Sequence, residues 1–472
     1  MTFTSCPETG VRHFAWGVTA GLLLVALLAH PVRADEDDWK YDEVHLKNGE
    51  IMRGLIVRET TSEVIFQSVR RKPGRPTLVF PTTLARDQID SIDKLEEKEH
   101  DRLAARIKAL DPTGKGELLR MQSLDLKAAT WGKDGKGKAL SYQSVYFQLV
   151  SNAREDIVRR SAVRLEQIYF AYTRYLPPRF ESADATTILL AQSQADYQKL
   201  VKDQGFNLLN PAYYDVADNK VVCYCELQKL GEEMEKVRKH HQQMLDDFDD
   251  KEAELKKIYK NKMPEALMTP ITDGRKKIHE VVEKNEKSFK KAFEEGTRRL
   301  MQRLYHESFH AYLNQFVYPP AEGELPRWLN EGLAQVFEYA ILDGDEIRIG
   351  QVEKDRLAHA QDALKKGELV GIADLLKSGS KQFLVAHATE AQDADRYYVT
   401  SWAVAHYLLF DRRLLGTKAM DGYVHALHKK ADPLEAFREL AGQPLPQFEK
   451  EFKAYLENLR SNGTVGKLPP QK

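Results

Sequence analysis

The chain has 472 residues, 42% hydrophobic and 30% charged, an ordinary globular composition with the length for roughly two to four domains. Seventy basic residues against seventy-one acidic ones leave a net charge of −1, so no global field recruits nucleic acid or an anionic membrane, and neither is expected as a partner.

Residues 1–34 have the form of a signal peptide. Arg12 and His13 precede an apolar run from Phe14 to Ala29, and Val32-Arg33-Ala34 places small residues where a signal peptidase reads, so cleavage is expected before Asp35. The run is about 16 residues, short of the roughly 20 that span a bilayer. The mature chain is therefore expected to be exported, periplasmic or extracellular in a bacterium, with no stable membrane insertion after cleavage. It keeps two cysteines, Cys223 and Cys225. Residues i and i+2 of a strand stand too far apart for a disulfide, so these are read as small buried hydrophobes.

Residues 41–93 read as a small SH3-like β-barrel. Asn48-Gly49 lies between short alternating runs, a hairpin signal, and further short strands follow at 55–57, 64–68, 78–80 and 89–92. Packing against a neighbour is its expected role. Residues 94–141, a charged helix over 95–110 and a Gly/Lys-rich stretch from Pro112 to Lys138, read as a connector. A domain over 142–460 follows, with strands at 145–150, 187–191 and 219–225 and an amphipathic helix over 156–175, in the order of an α+β fold.

Residues 227–293 interrupt that domain. Leu227, Leu230, Met234, Val237, His241, Met244, Phe248, Lys251, Leu255 and Ile258 follow a heptad seam with two polar interruptions amid charged residues. Pro264 and Pro270 are expected to break this helix and a returning one to begin near Gly274. The result is an antiparallel coiled-coil hairpin roughly 45 Å long at 1.5 Å per residue. It is either a solvated structural arm or a lid or docking arm for a protein partner.

The chemistry is concentrated just beyond. His306 and His310 are one helical turn apart on an amphipathic stretch, so both imidazoles can reach one metal ion, and Glu307 projects beside them as a carboxylate not spent as a ligand. Zinc hydrolases use three protein ligands, one open position and a general base. Glu331, on a second helical run with Leu329, Leu333, Val336 and Phe337, offers the third ligand. Residues 397–409 are too apolar all round for a surface helix and are expected behind the site. Tyr397 or Tyr398, at the start of this run, is a candidate donor to a developing oxyanion, with His406 as the substitute. His425 and His428 are assigned to a polar helix face, and residues 461–472 to a disordered tail.

These residues resemble the gluzincin metallopeptidases, the thermolysin-like group with H-E-x-x-H on one helix and a glutamate ligand on the next. The segment from about Tyr142 to Asn458, without its insertion, looks like an uncharacterised bacterial family of exported peptidase-like proteins bearing Trp-Leu-x-Glu-Gly-x-Ala, here Trp328 to Ala334. The resemblance implies Zn2+ held by His306, His310 and Glu331, Glu307 as base, and a peptide or protein substrate. It also implies a sheet edge that holds the substrate backbone, for which Val221 to Cys225 is the candidate. Thermolysin has an aspartate four residues after its glutamate ligand to orient the first histidine. Gln335 stands there in this chain, so a neutral neighbour and a less basic ligand are expected. Two functions follow: a zinc-dependent peptidase, or an exported binding or scaffold protein with a catalytically inactive peptidase-like domain.

Overall fold

The computed structural model describes residues 39–71, 77–110, 115–132, 135–181, 184–205, 210–260, 264–344, 346–383 and 388–466. The expected signal peptide lies outside them. No helix among the described residues is long and apolar enough to cross a membrane.

The described residues form a mixed α+β structure. Its first unit is an antiparallel sheet of β1 (Asp42–Leu46), β2 (Ile51–Glu59), β3 (Glu63–Arg70), β4 (Leu78–Ala85) and β5 (Ile89–Asp93), in the order β4-β3-β2-β1-β5. The Asn48-Gly49 turn forms as expected, with Gly49 at φ +84°, where its lack of a Cβ matters. Among the described residues β4 and β5 are not paired, so the sheet is open where a closed barrel was expected. Register shifts at His45/Leu46 and Ile56/Arg58 bend it over Val44, Val64, Phe66 and Leu84. A second small core of Trp39, Leu55, Val69 and Leu103 seats α1 (Glu97–Ala109) against the sheet, so a helix closes this unit where the barrel needed a strand pairing.

A short helix, α2 (Lys115–Ser123), leads into a six-stranded sheet. Its strands are β6 (Lys127–Trp131), β7 (Gly137–Gln143), β8 (Phe147–Ser151), β9 (Thr186–Ala191), β10 (Ala212–Asp215) and β11 (Lys220–Tyr224), in the order β10-β11-β9-β8-β7-β6. Two expectations change here. The stretch expected to be a connector contributes β6 and most of β7, so the domain begins near Lys127. Interior β11 pairs with β9 on one side and β10 on the other, so the strand expected at the edge is not there; β10 is. Parallel pairing of β8 with β9 requires a crossover, which α3 (Glu155–Tyr175) supplies with Val158, Ala162, Leu165 and Tyr169 facing the core. The helix α4 (Gln194–Asp203) covers part of the other face, its N-terminus capped by Ser193, whose hydroxyl accepts from the Asp196 N–H at 3.2 Å. Cys223 and Cys225 are buried free thiols, as read from the sequence.

The arm is built from α5 (Leu227–Ile258) and α6 (Glu265–Tyr312). The returning helix starts at Glu265, not near Gly274, and Pro270 lies inside it. As the sixth residue of the helix, Pro270 forgoes the bond its N–H would have made to the Ala266 carbonyl, and the helix continues through it. From there α6 runs 48 residues without a break, roughly 72 Å at 1.5 Å per residue, and ends in the H-E-x-x-H segment. The two helices touch closely where Gly274 faces the Phe248 ring and Gly296 faces Leu227. His241, buried in the seam, meets Asn285 at 3.2 Å.

The rest is mainly helical: α7 (Arg327–Glu338), α8 (Lys354–Lys366), α9 (Ile372–Leu376), α10 (Ala388–His406), α11 (Lys418–His428), α12 (Pro433–Ala441) and α13 (Leu445–Asn458), with a hairpin of β12 (Ile341–Asp343) and β13 (Glu346–Arg348) after α7. As expected, the apolar run from Val399 to Leu409 is buried. It packs so tightly on α7 that a Cβ at Gly332 would collide with the Ser401 carbonyl. Part of the tail expected to be disordered is folded: Gly466 N–H donates to Asn458 at 2.9 Å and Leu459 bridges to Val465. Residues 467–472 lie outside the described residues. His425 and His428 are exposed. The N-terminal sheet is tied to the β12–β13 hairpin by buried Asp343, which accepts from the Thr77 N–H at 2.9 Å and pairs with Arg348 at 3.1 Å and Arg71 at 3.4 Å.

Candidate metal centre

The last five turns of α6 bury Leu300, Leu304, Tyr305, Phe309 and Tyr312, which fixes the rotation of the helix about its axis. That rotation points His306 and His310 toward α7 and sets Glu307 beside β10. Phe309 stacks on Phe337 of α7 with ring centroids 4.7 Å apart, setting the distance between the two helices. Glu331, one turn into α7 and 2% exposed, then meets both imidazoles: its oxygens lie 3.4 Å from His306 Nε2 and 3.6 Å from His310 Nε2. One ligand atom from each of the three residues lies within 4.8 Å of the others.

Both rings are held from behind. His306 Nδ1 donates to Glu338 Oε2 at 2.8 Å, and His310 Nδ1 donates to Asn330 Oδ1 at 2.7 Å. With Nδ1 of each ring so engaged, each Nε2 faces Glu331, leaving that nitrogen as the one a metal ion would take. The neutral neighbour expected at Gln335 is thus corrected. Gln335 donates to the Tyr398 carbonyl at 3.1 Å, while the carboxylate behind His306 comes from Glu338, two turns beyond Glu331 on the same helix. A spacing of seven residues keeps both on one face.

Burial would raise the Glu331 carboxyl, but His310, His306 and Arg327 hold it down to about 2. Burial pulls His306 down too, yet its hydrogen bonds to Glu331 and Glu338 leave it well above the usual histidine range. His310 is lowered by burial to about 4. Glu307 is raised to about 7, chiefly by burial and also by the charge of Glu331, against the opposing pull of His306, Arg327 and the Tyr214 backbone N–H of β10. Glu307 is thus a carboxyl held near neutrality beside the two imidazoles and the Glu331 carboxylate.

The donor set fits zinc. It has two imidazole nitrogens and one carboxylate, each ring held by a hydrogen bond, and Glu307 left outside the set. A cavity of about 420 Å³ opens beside His306 and Glu307 and is lined also by Ala212 of the edge strand, Arg303 and Tyr398. A second, of about 500 Å³, meets it at His306, Glu338 and Tyr398.

The four motif residues therefore converge as expected, and the tyrosines separate. Tyr398 lines both cavities and donates its hydroxyl to the Phe383 carbonyl at 3.2 Å. Tyr397 lines neither; it packs on Phe383 with centroids 5.9 Å apart. The substitute donor, His406, is buried elsewhere, with Tyr455 at 2.8 Å from its Nδ1, and takes no part. Asn330, Glu338 and the edge strand β10 were missed from the sequence. Glu338 had a signal there, the i+7 offset from Glu331.

Residues 301–431 match a family model described as a protein of unknown function (DUF1570). The match begins inside α6, five residues before His306, and ends after α11, so it holds every residue of the triad and its hydrogen-bond partners. No curated protein matches the chain.

Proposed function

We propose that the chain is an exported zinc-dependent peptidase, a gluzincin-like domain preceded by a small SH3-like unit and carrying an inserted coiled-coil arm. The observation that carries the reading is the convergence of His306, His310 and Glu331 with Glu307 beside them and uncommitted to the set. Bound there, zinc would supply Lewis-acid polarisation of a substrate carbonyl and lower the pKa of a water. His306, His310 and Glu331 would hold it. Glu307, beside the donor set and outside it, takes a proton from the attacking water and returns it to the leaving amine. The Tyr398 hydroxyl, once turned from the Phe383 carbonyl, donates to the carbonyl oxygen as it gains charge. The side of β10 that pairs with no other strand among the described residues is where the backbone of an extended peptide would pair.

The test uses Glu307→Gln, which keeps the side chain's size and leaves the ligands alone. Mature wild-type protein should cleave members of a broad peptide library, with the activity lost to a chelator and restored by zinc. The variant should keep its fold and metal while cleavage falls by roughly 10²- to 10⁴-fold. Equal rates for wild type and variant would remove Glu307 from the chemistry.

A further inference from the structure

Glu338 is the last residue of α7. The carbonyl end of a helix is a poor place for a carboxylate, because the helix dipole places partial negative charge there. The structure answers this with a guanidinium from a different helix. Arg356, on α8, donates from one nitrogen to Glu338 Oε1 at 2.6 Å and from the other to the Gln335 carbonyl at 3.4 Å. It thus neutralises the carboxylate and satisfies a carbonyl in the last turn of α7. Its plane is fixed in turn by the Tyr339 ring, 4.8 Å from the guanidinium carbon, and the Trp402 ring at 6.0 Å. Each Glu338 oxygen has one partner, Oε2 on His306 and Oε1 on Arg356, so the carboxylate cannot turn about its terminal bond without losing both.

We propose that Arg356 is a positioning residue of the metal centre: it locks Glu338, and Glu338 fixes the ring of His306 and the tautomer that presents Nε2. The inference rests on the zinc reading and extends it to a helix that contributes none of the three donors. A geometric fork is needed for two bonds in different directions, so lysine is only a partial substitute for Arg356.

The test is zinc affinity, read by competition with a chromophoric chelator on full-length mature protein stripped of metal. Outer-shell partners of zinc ligands typically contribute 10- to 100-fold in affinity. Arg356→Met is expected to weaken zinc binding about tenfold, Arg356→Lys by less, and Glu338→Gln by roughly 10- to 100-fold. The decisive comparison is the double variant, which should bind zinc no more weakly than Glu338→Gln alone, because Arg356 acts only through Glu338. A merely structural role would lower the melting temperature of the metal-free protein but leave affinity unchanged. If Arg356→Met fails to fold, Arg356→Lys takes its place in the same cycle. Wild-type affinity in Arg356→Met, or losses that add in the double variant, would overturn the assignment. A wild type that binds no zinc would instead overturn the metal reading on which it stands.

Discussion

The two ends of α6 belong to one helix and obey different rules. From Glu265 to Glu295 it buries only Ile271 and Ile278, and its other ties to α5 are largely polar, such as Arg238 with Glu286 at 2.6 Å and 2.7 Å, and Arg275 with Asp249 and Glu252. From Gly296 to Tyr312 it buries ten residues, among them Leu304, Phe309 and Tyr312 with almost no exposure. A two-helix arm has no third surface against which to exclude water, whereas the near end is enclosed by α3, α7 and the sheet. The candidate metal-binding residues of this helix sit only on the enclosed end. Metal ligands must be held to a fraction of an ångström, and dense packing provides that where exposed ion pairs do not.

This contrast predicts unequal costs. Phe309→Ala removes a fully buried ring between Tyr172 and Phe337 and should lower unfolding stability by about 3–5 kcal/mol. The same kind of truncation at Ile278, in the seam of the arm, should cost well under half of that, because the arm can shift to fill the space. Denaturant melts of both variants decide the matter, and equal losses would erase the distinction between the two ends.

The next effect depends on pH. Burial lowers His406 to about 3, so the unfolded chain binds the extra proton between roughly pH 6.5 and 3 while the folded chain does not. Stability from this group is complete above about pH 6.5 and declines as the pH falls, by roughly 2–3 kcal/mol near pH 4.5. His406→Gln keeps an acceptor for the Tyr455 hydroxyl and cannot titrate in this range. It should flatten the acid side of the stability profile; an unchanged slope would show that other groups dominate.

Smaller still are changes in the arm. Joining Arg238 to Glu286 by a short Gly/Ser turn deletes the distal part and keeps the pairing beneath it. Zinc content should be retained and the melting temperature should move by less than about 3 °C. Loss of zinc would mean that the distal arm braces the site after all. Arg238→Ala alone, in an exposed pair, should cost about 0.2–1 kcal/mol.

What was legible beforehand divides along physical lines. The spacing of His306, Glu307 and His310 is a helical constraint, and the placement of Glu331 on a second apolar-faced run is another; local periodicity carries both. The heptad seam likewise announced α5. Strand neighbours are not local. Whether Val221 to Cys225 lies inside the sheet depends on Ala212–Asp215 adding itself outside, a short segment with little alternation to mark it. Lys127–Trp131, an edge strand of mixed polarity among glycines and lysines, looked like a linker for the same reason. Pro270 predicts a break, yet it costs a single backbone hydrogen bond and the helix runs through it. The i+7 offset puts Glu338 on the same face of α7 as Glu331, but which turn of that face meets His306 is set by how the two helices cross.

The proposed zinc site of His306, His310 and Glu331 is tested most directly by its metal content. Metal analysis of purified mature protein should find about one zinc per chain, and His306→Ala, His310→Ala and Glu331→Ala should each reduce it to near background while the protein stays folded. Unchanged zinc in all three variants, or no zinc in a folded wild type supplied with the metal, would contradict it.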